Sequence, residues 1–148
     1  MNKVEIPQST IDRHIQTLAN KIKKSKKEYH YIVGIARGGL HISKPLAELL
    51  NIPHKTIKVS FYGKAIMKGC PQIINIRSLV GSKGNANYLI CDDLVDGGNT
   101  FNWLQTNLGP YLDFDSAVIY YNKANSLGYK PTFYAKEKPK KWIIFPWE

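Results

Sequence analysis

The sequence predicts an α/β fold built on a mostly parallel sheet. Short apolar runs alternate with stretches whose apolar residues recur at helical spacing. Two loops of unusual composition, Arg37-Gly38-Gly39 and residues 92–100, each follow an apolar run directly. No linker, repeat or low-complexity segment divides the 148 residues, a length that suits one domain covering residues 1–148.

The elements follow in chain order. Ser9 and Asp12 are spaced like a capping box, with Asp in place of Glu. Ile11, Ile15, Leu18, Ala19 and Ile22 then mark one buried helix face. The basic run from Lys21 to Lys27 closes this helix, where cations suit the negative end of its dipole. Residues 31–36, Tyr-Ile-Val-Gly-Ile-Ala, read as a buried strand that stops at Arg37-Gly38-Gly39. A second helix is expected from about Ser43 to Leu50, with Pro45 in its first turn. Ile57, Val59 and Phe61 alternate with polar residues as a strand does. The stretch from Gly63 to about Gln72 lacks periodicity and reads as a mobile loop. Residues 88–91 and 117–121 are further buried strands. Between them Thr100 can cap a helix carrying Phe101, Leu104 and Leu108, stopped by Gly109-Pro110.

Composition narrows the function classes. No apolar run reaches the roughly 20 residues of a membrane helix, and the N-terminus lacks a signal-peptide core. Cys70 and Cys91 match no disulfide framework or zinc spacing, and His14, His30, His41 and His54 share no ligand spacing. A soluble, reduced, cytoplasmic domain is the expectation, with no membrane partner. The net charge of +10 points to an anionic partner, a nucleic acid or a small polyphosphate. Its distribution says more: no acid falls between Glu48 and Asp92, and then Asp92, Asp93 and Asp96 arrive together. The lysine runs at residues 21–27 and 136–141 read as solvated faces.

Ligands of open α/β sheets gather at the carboxyl ends of the strands, where both unusual loops fall. In Asp92-Asp93-Leu94-Val95-Asp96-Gly97-Gly98-Asn99-Thr100, paired carboxylates leave a strand and a Gly-Gly turn opens a helix. Glycines let the backbone approach a ligand, and a helix N-terminus offers unpaired N–H groups to phosphate. Carboxylates beside a phosphate site are repulsive unless they bind sugar hydroxyls or a divalent cation. The combination suggests a phosphorylated sugar with Mg2+. An isolated Asp-Gly would be an ordinary surface turn; that reading accounts poorly for the acid pair, third Asp and Gly-Gly-Asn-Thr cap together.

Residues 89–100, Leu-Ile-Cys-Asp-Asp-Leu-Val-Asp-Gly-Gly-Asn-Thr, resemble the phosphoribosyl-pyrophosphate (PRPP) signature of type I phosphoribosyltransferases. Ala36-Arg37-Gly38-Gly39 is similar to the pyrophosphate loop of that family, and the ending Trp-Ile-Ile-Phe-Pro-Trp-Glu narrows the likeness to the small bacterial xanthine-guanine enzymes. The resemblance covers nearly the whole chain from Tyr31. It implies a twisted, mostly parallel sheet flanked by helices, with residues from about 123 to 148 as a small C-terminal hood over the base.

The roles it implies are these. Asp92 and Asp93 would hold the ribose 2′ and 3′ hydroxyls, Asp93 also lying near the Mg2+ shell. Gly97, Gly98, Asn99 and Thr100 would cradle the 5′-phosphate, while Arg37 and the Gly38 backbone would face the pyrophosphate. Asp96 would be the catalytic residue beside purine N7. Lys123 would contact the 6-oxo group, Trp142 would stack on the base, and the backbone near Ile143 would read its 2-position. Ser60, Phe61 and Tyr62 would begin a flexible lid. The expected partners are PRPP and a purine base, in a homo-oligomer, dimer or tetramer.

The chain departs from the signature at Gly97, where Thr is usual, and at Asn99, where Gly is common. Gly97 lacks a phosphate-binding hydroxyl, so weaker PRPP binding is expected. Trp147 reads as packing, and Cys91 as a buried strand residue rather than a nucleophile. The leading function is Mg2+-dependent transfer of phosphoribose from PRPP to a 6-oxopurine in base salvage. A phosphoribosyltransferase for another base, and a regulator of the same fold binding nucleotide and RNA or DNA through its basic faces, are the alternatives. The intact acid triad disfavours the regulator, because nucleic-acid binding does not need those acids.

Overall fold

A computed structural model describes residues 2–61, 71–73, 79 and 86–148. Among these the chain runs β1 (Lys3–Glu5), α1 (Gln8–Ser25), β2 (Tyr31–Ala36), α2 (Leu40–Leu50), β3 (His54–Phe61) and β4 (Pro71–Ile73). It continues with β5 (Asn87–Val95), α3 (Asn99–Asn107), β6 (Asp113–Tyr121), β7 (Phe133–Glu137) and β8 (Trp142–Ile144). Six strands form the main sheet in the order β4-β3-β2-β5-β6-β7. Every pairing in it is parallel except β3 with β4. The α/β expectation therefore holds.

The sheet is covered on both faces, as parallel sheets are. Alternate residues of a strand point to opposite faces, so Leu89 and Cys91 enter the core under α1 and α2, whereas Tyr88 and Ile90 enter the core under α3. On α1 the buried residues are Ile11, Ile15, Leu18, Ala19 and Ile22, the face that the spacing predicts. Burying each large aliphatic side chain contributes roughly 1.5–3 kcal/mol, enough to orient the helix without help from its caps.

The helix boundaries differ from expectation. Helix α1 starts at Gln8 behind Pro7 with no side-chain cap, so Ser9 lies inside it and forms no capping box. It closes at Lys26 in the left-handed conformation, with Lys23 and Lys24 in the last turn. Helix α2 begins at Leu40 rather than Ser43, leaving Pro45 inside the helix. The reason is local: the Arg37 and Gly38 carbonyls already accept from the N–H groups of Leu40 and His41. Helix α3 is capped by Gly98, not Thr100, which lies within the helix.

Strand lengths differ too. Strand β5 runs through Asp92 and Asp93 to Val95, so the acid pair sits on the strand's last residues rather than beyond it. The β5 and β6 ladder explains this, pairing Asp92 with Val118 and Val95 with Tyr121. Gln72 lies in β4, paired with Ser60, not in the loop expected to reach it. Residues 62–70, which include Tyr62 and most of that loop, lie outside the described residues. Strands β1, β4, β7 and β8 were not foreseen. The last of these leaves the main sheet and pairs in parallel with β1, Val4 opposite Ile143. Among the described residues no helix is long and apolar enough to cross a membrane.

Candidate functional site

Strands β2 and β5 are sheet neighbours, yet the chain leaves β2 toward β3 on one side and β5 toward β6 on the other. This is the topological switch point at which a crevice opens beyond the carboxyl ends of the strands. The register pairs Gly34 with Cys91, so the Arg37-Gly38-Gly39 loop and the acid pair arrive side by side.

Glycine lets them meet. A Cβ on Gly38 would stand 3.1 Å from the Asp93 Cγ, and one on Gly39 would stand 2.5 Å from the Cys91 carbonyl and 2.6 Å from that of Ile35. Real Cβ atoms do not approach backbone as closely as one on Gly39 would, so a side chain there would push the loop off the ends of β2 and β5, while one on Gly38 would displace the Asp93 carboxylate. The Ala36 to Arg37 peptide bond preceding them is cis. Arg37 itself is exposed at the rim.

Asp92 and Asp93 are half-buried and folded onto their own strand end. The Asp93 N–H donates to Asp92 Oδ1 at 2.9 Å, and the Leu94 N–H to Asp93 Oδ1 at 2.8 Å. Loss of water pushes the Asp92 pKa well up, and the neighbouring Asp93 charge pushes it further. Burial also raises the Asp93 pKa, with a contribution from the Glu148 charge at the far end of the chain. Two acids sharing a desolvated niche make a place where a cation or hydroxyl donors relieve the repulsion.

Beyond Val95 the turn lies open. Gly98 has φ +79°, and its α face lies against the Ser126 carbonyl, so only glycine fits there without strain. No side chain caps α3, leaving its first N–H groups for an incoming anion. Leu94, Asp96, Gly97, Gly98, Asn99, Thr100 and Phe101 line a cavity of about 250 Å3 at this turn.

Asp96 is held by the residue that follows β6: Asn122 Nδ2 donates to its Oδ1 at 2.7 Å, and the Asn122 N–H donates to the Val95 carbonyl at 2.8 Å. Sequence reasoning missed Asn122. It stands beside the nominated Lys123, but only the β5 and β6 pairing brings it to Asp96. Lys123 is exposed on the same connection.

Of the residues expected on the base side, Trp142 and Ile143 lie on β8. Trp142 is 55% exposed, whereas Ile143 is buried in the core. Trp142 N–H donates to the Asn2 carbonyl, and the Ile144 carbonyl accepts from the Ile6 N–H. In a parallel ladder alternate residues face the partner, so Ile143 turns its own N–H and C=O away from β1. Ser60 and Phe61 are the last residues of β3, and Tyr62 lies outside the described residues.

An acid pair on one strand end, a glycine loop packed against it and an uncapped helix at the switch point have the donors and acceptors that a phosphorylated sugar would use. The chain belongs to the phosphoribosyl transferase domain family, which matches it over residues 7–148. It is 29% identical over 123 residues to a xanthine-guanine phosphoribosyltransferase of Idiomarina loihiensis, covering 82% of this chain and 73% of that protein. A xanthine-guanine phosphoribosyltransferase of Nitratidesulfovibrio vulgaris is 32% identical over 127 residues, covering 83% and 71%. The crystal structure of a purine phosphoribosyltransferase from Pyrococcus horikoshii superposes with a TM-score of 0.81 at 30% identity, covering all of this chain and 95% of that one.

Proposed function

We propose that this purine-type phosphoribosyltransferase uses Mg2+ and transfers the 5-phosphoribosyl group from PRPP to N9 of a 6-oxopurine, releasing pyrophosphate. Gly38 packed against Asp93, with the Gly97-Gly98 turn lining a cavity a few residues further along the same strand end, supports this reading. Cytoplasmic base salvage by a dimer or tetramer belongs to the same proposal, on the strength of the resemblance.

The residues divide the work by charge. The turn from Gly97 to Thr100 binds the 5′-phosphate through main-chain donors at the start of α3. Asp92 and Asp93 take the ribose hydroxyls. As the bond from C1 to pyrophosphate breaks, positive charge grows on the ribose and negative charge on the leaving group. Arg37 and the Gly38 backbone face that negative charge. Asp96, with one oxygen fixed by Asn122, keeps the other for the N7 side of the purine. Lys123 offers a cation to a 6-oxo group, which selects guanine, xanthine or hypoxanthine over adenine.

The donor set fits Mg2+, a hard cation that takes one or two carboxylates with substrate oxygens and water. Asp93 would hold it, with Asp92 beside it, and when bound it neutralises charge on the departing pyrophosphate.

The test is pyrophosphate release with Mg2+, PRPP and guanine, xanthine, hypoxanthine, adenine, uracil or orotate in turn. Turnover is expected with the 6-oxopurines alone. Asp96→Asn should lower kcat by about 100-fold or more, the scale of a lost acid-base group. Absence of turnover with every base would overturn the enzyme reading. A salt-sensitive oligonucleotide shift would then support the regulator.

A further inference from the structure

The C-terminal segment is held to the body in an unusual way. Its pairing with the N-terminus is a parallel ladder of three-residue strands, too short to be stable alone. Beyond the ladder, the Trp147 ring lies flat on His41, centroids 4.4 Å apart and planes within 4°. Its other neighbour is Phe145, at 4.7 Å and 9°. Phe145 is buried and leans on Tyr120 of β6 at 6.0 Å.

Glu148 folds back onto the Phe145 backbone. The Phe145 N–H donates to Glu148 Oε2 at 2.9 Å, and the Glu148 N–H to the Phe145 carbonyl at 3.1 Å. His41 sits in the first turn of α2, and its N–H bonds the Gly38 carbonyl. One aromatic stack therefore joins the base-side segment to the loop beside Asp93.

We propose that His41 and Trp147 are positioning residues, whose stack docks residues 142–148 on the first turn of α2 and holds the base-side segment in register with the Arg37-Gly38-Gly39 loop. The ligand assignment rests on the proposed function; the docking does not. Neither ring touches the reacting atoms in this reading, so each acts through the backbone it anchors. The expected sign is weaker capture of both substrates with little change in chemistry once they are bound.

The experiment compares His41→Ala, Trp147→Ala, His41→Phe, Trp147→Phe and the double alanine variant. Stacked aromatic pairs are worth a roughly two- to tenfold change in an equilibrium. Each alanine variant should raise KM for purine and for PRPP by that factor while kcat changes by less than about twofold. The phenylalanine variants keep a flat ring and should restore both values. The double variant should be no worse than the worse single one, because the two residues share one contact.

Hydrogen exchange at the Phe145 amide in ligand-free protein gives a second readout, expected to accelerate in the alanine variants only. Unchanged KM values, phenylalanine variants as weak as alanine, or multiplying effects in the double variant would overturn the proposal. Should the wild-type chain turn over no base, the functional reading fails by itself. Unaltered Phe145 exchange would then still overturn the docking, and accelerated exchange would support it. His41 is exposed, so its variants remain readable even if Trp147→Ala fails to fold.

Discussion

The two ends of the proposed site are built differently. The phosphate end is a continuous stretch, residues 92–100, carried by β5 and the start of α3 in the middle of the main sheet. The base end is a short tail, residues 142–148, held by a two-stranded ladder and a ring stack at the periphery. At the phosphate end the fold and the site share atoms, so a substitution there strains both. At the base end the side chain offered to ligand is mostly in water, so function can be lost while the fold stays intact.

Gly98→Ala should break the phosphate end most severely. A Cβ at φ +79° would be driven into the Ser126 carbonyl. Strain of about 1–3 kcal/mol is expected, lowering Tm by roughly 3–10 °C together with a loss of PRPP binding. Calorimetry and PRPP titration measure the two effects on the same sample.

Trp142→Ala should show the opposite behaviour. Because the ring is 55% exposed, Tm should move by about 1 °C or less. The KM for purine should rise roughly tenfold as the base loses its stacking partner. A Tm loss as large as that of Gly98→Ala would erase the distinction between the two ends.

Asp92→Asn separates stability from activity within the phosphate end. Burial and Asp93 raise the Asp92 pKa above its ordinary value of 3.8. Between that value and the raised one, the native chain binds more protons than the unfolded chain. Stability therefore falls as pH rises through this window. The amide removes the penalty, so in chelator the variant should melt higher than the wild-type chain at pH 7. The gain should vanish below about pH 4, where both carboxyls are protonated in either state. Turnover should be lost throughout.

Gly97→Thr gives the smallest effect and the only gain in substrate binding. A Cβ there meets just the Asn99 amide nitrogen, at 3.8 Å, so the position has room for a side chain. The added hydroxyl should lower KM for PRPP by roughly two- to tenfold, the worth of one hydrogen bond, with Tm nearly unchanged.

How much of this was legible follows the same division. Residues 92–100 could be read because acid pair, glycines and helix start are contiguous, and contiguity turns a spacing into a geometry. The β2 and β5 apolar runs likewise announce themselves, since strands buried on both faces must be apolar throughout. The helix starts differ from the side-chain pattern because the Arg37 and Gly38 carbonyls set that of α2 at Leu40 and the left-handed Gly98 sets that of α3 at Asn99. Asn122 was missed because its contact with Asp96 spans two strands and leaves no periodic trace.

By itself the sequence determined the α/β class, the buried faces and the contiguous acid-glycine stretch proposed as the phosphate end, all consequences of local pattern and hydrophobic spacing. Only the tertiary structure decided that Gly38 would lie against Asp93, that Asn122 would hold Asp96, and that Trp147 would stack on His41. Those contacts join residues distant in the chain. Their geometry comes from strand order and register, which are set by how the whole sheet buries its two faces.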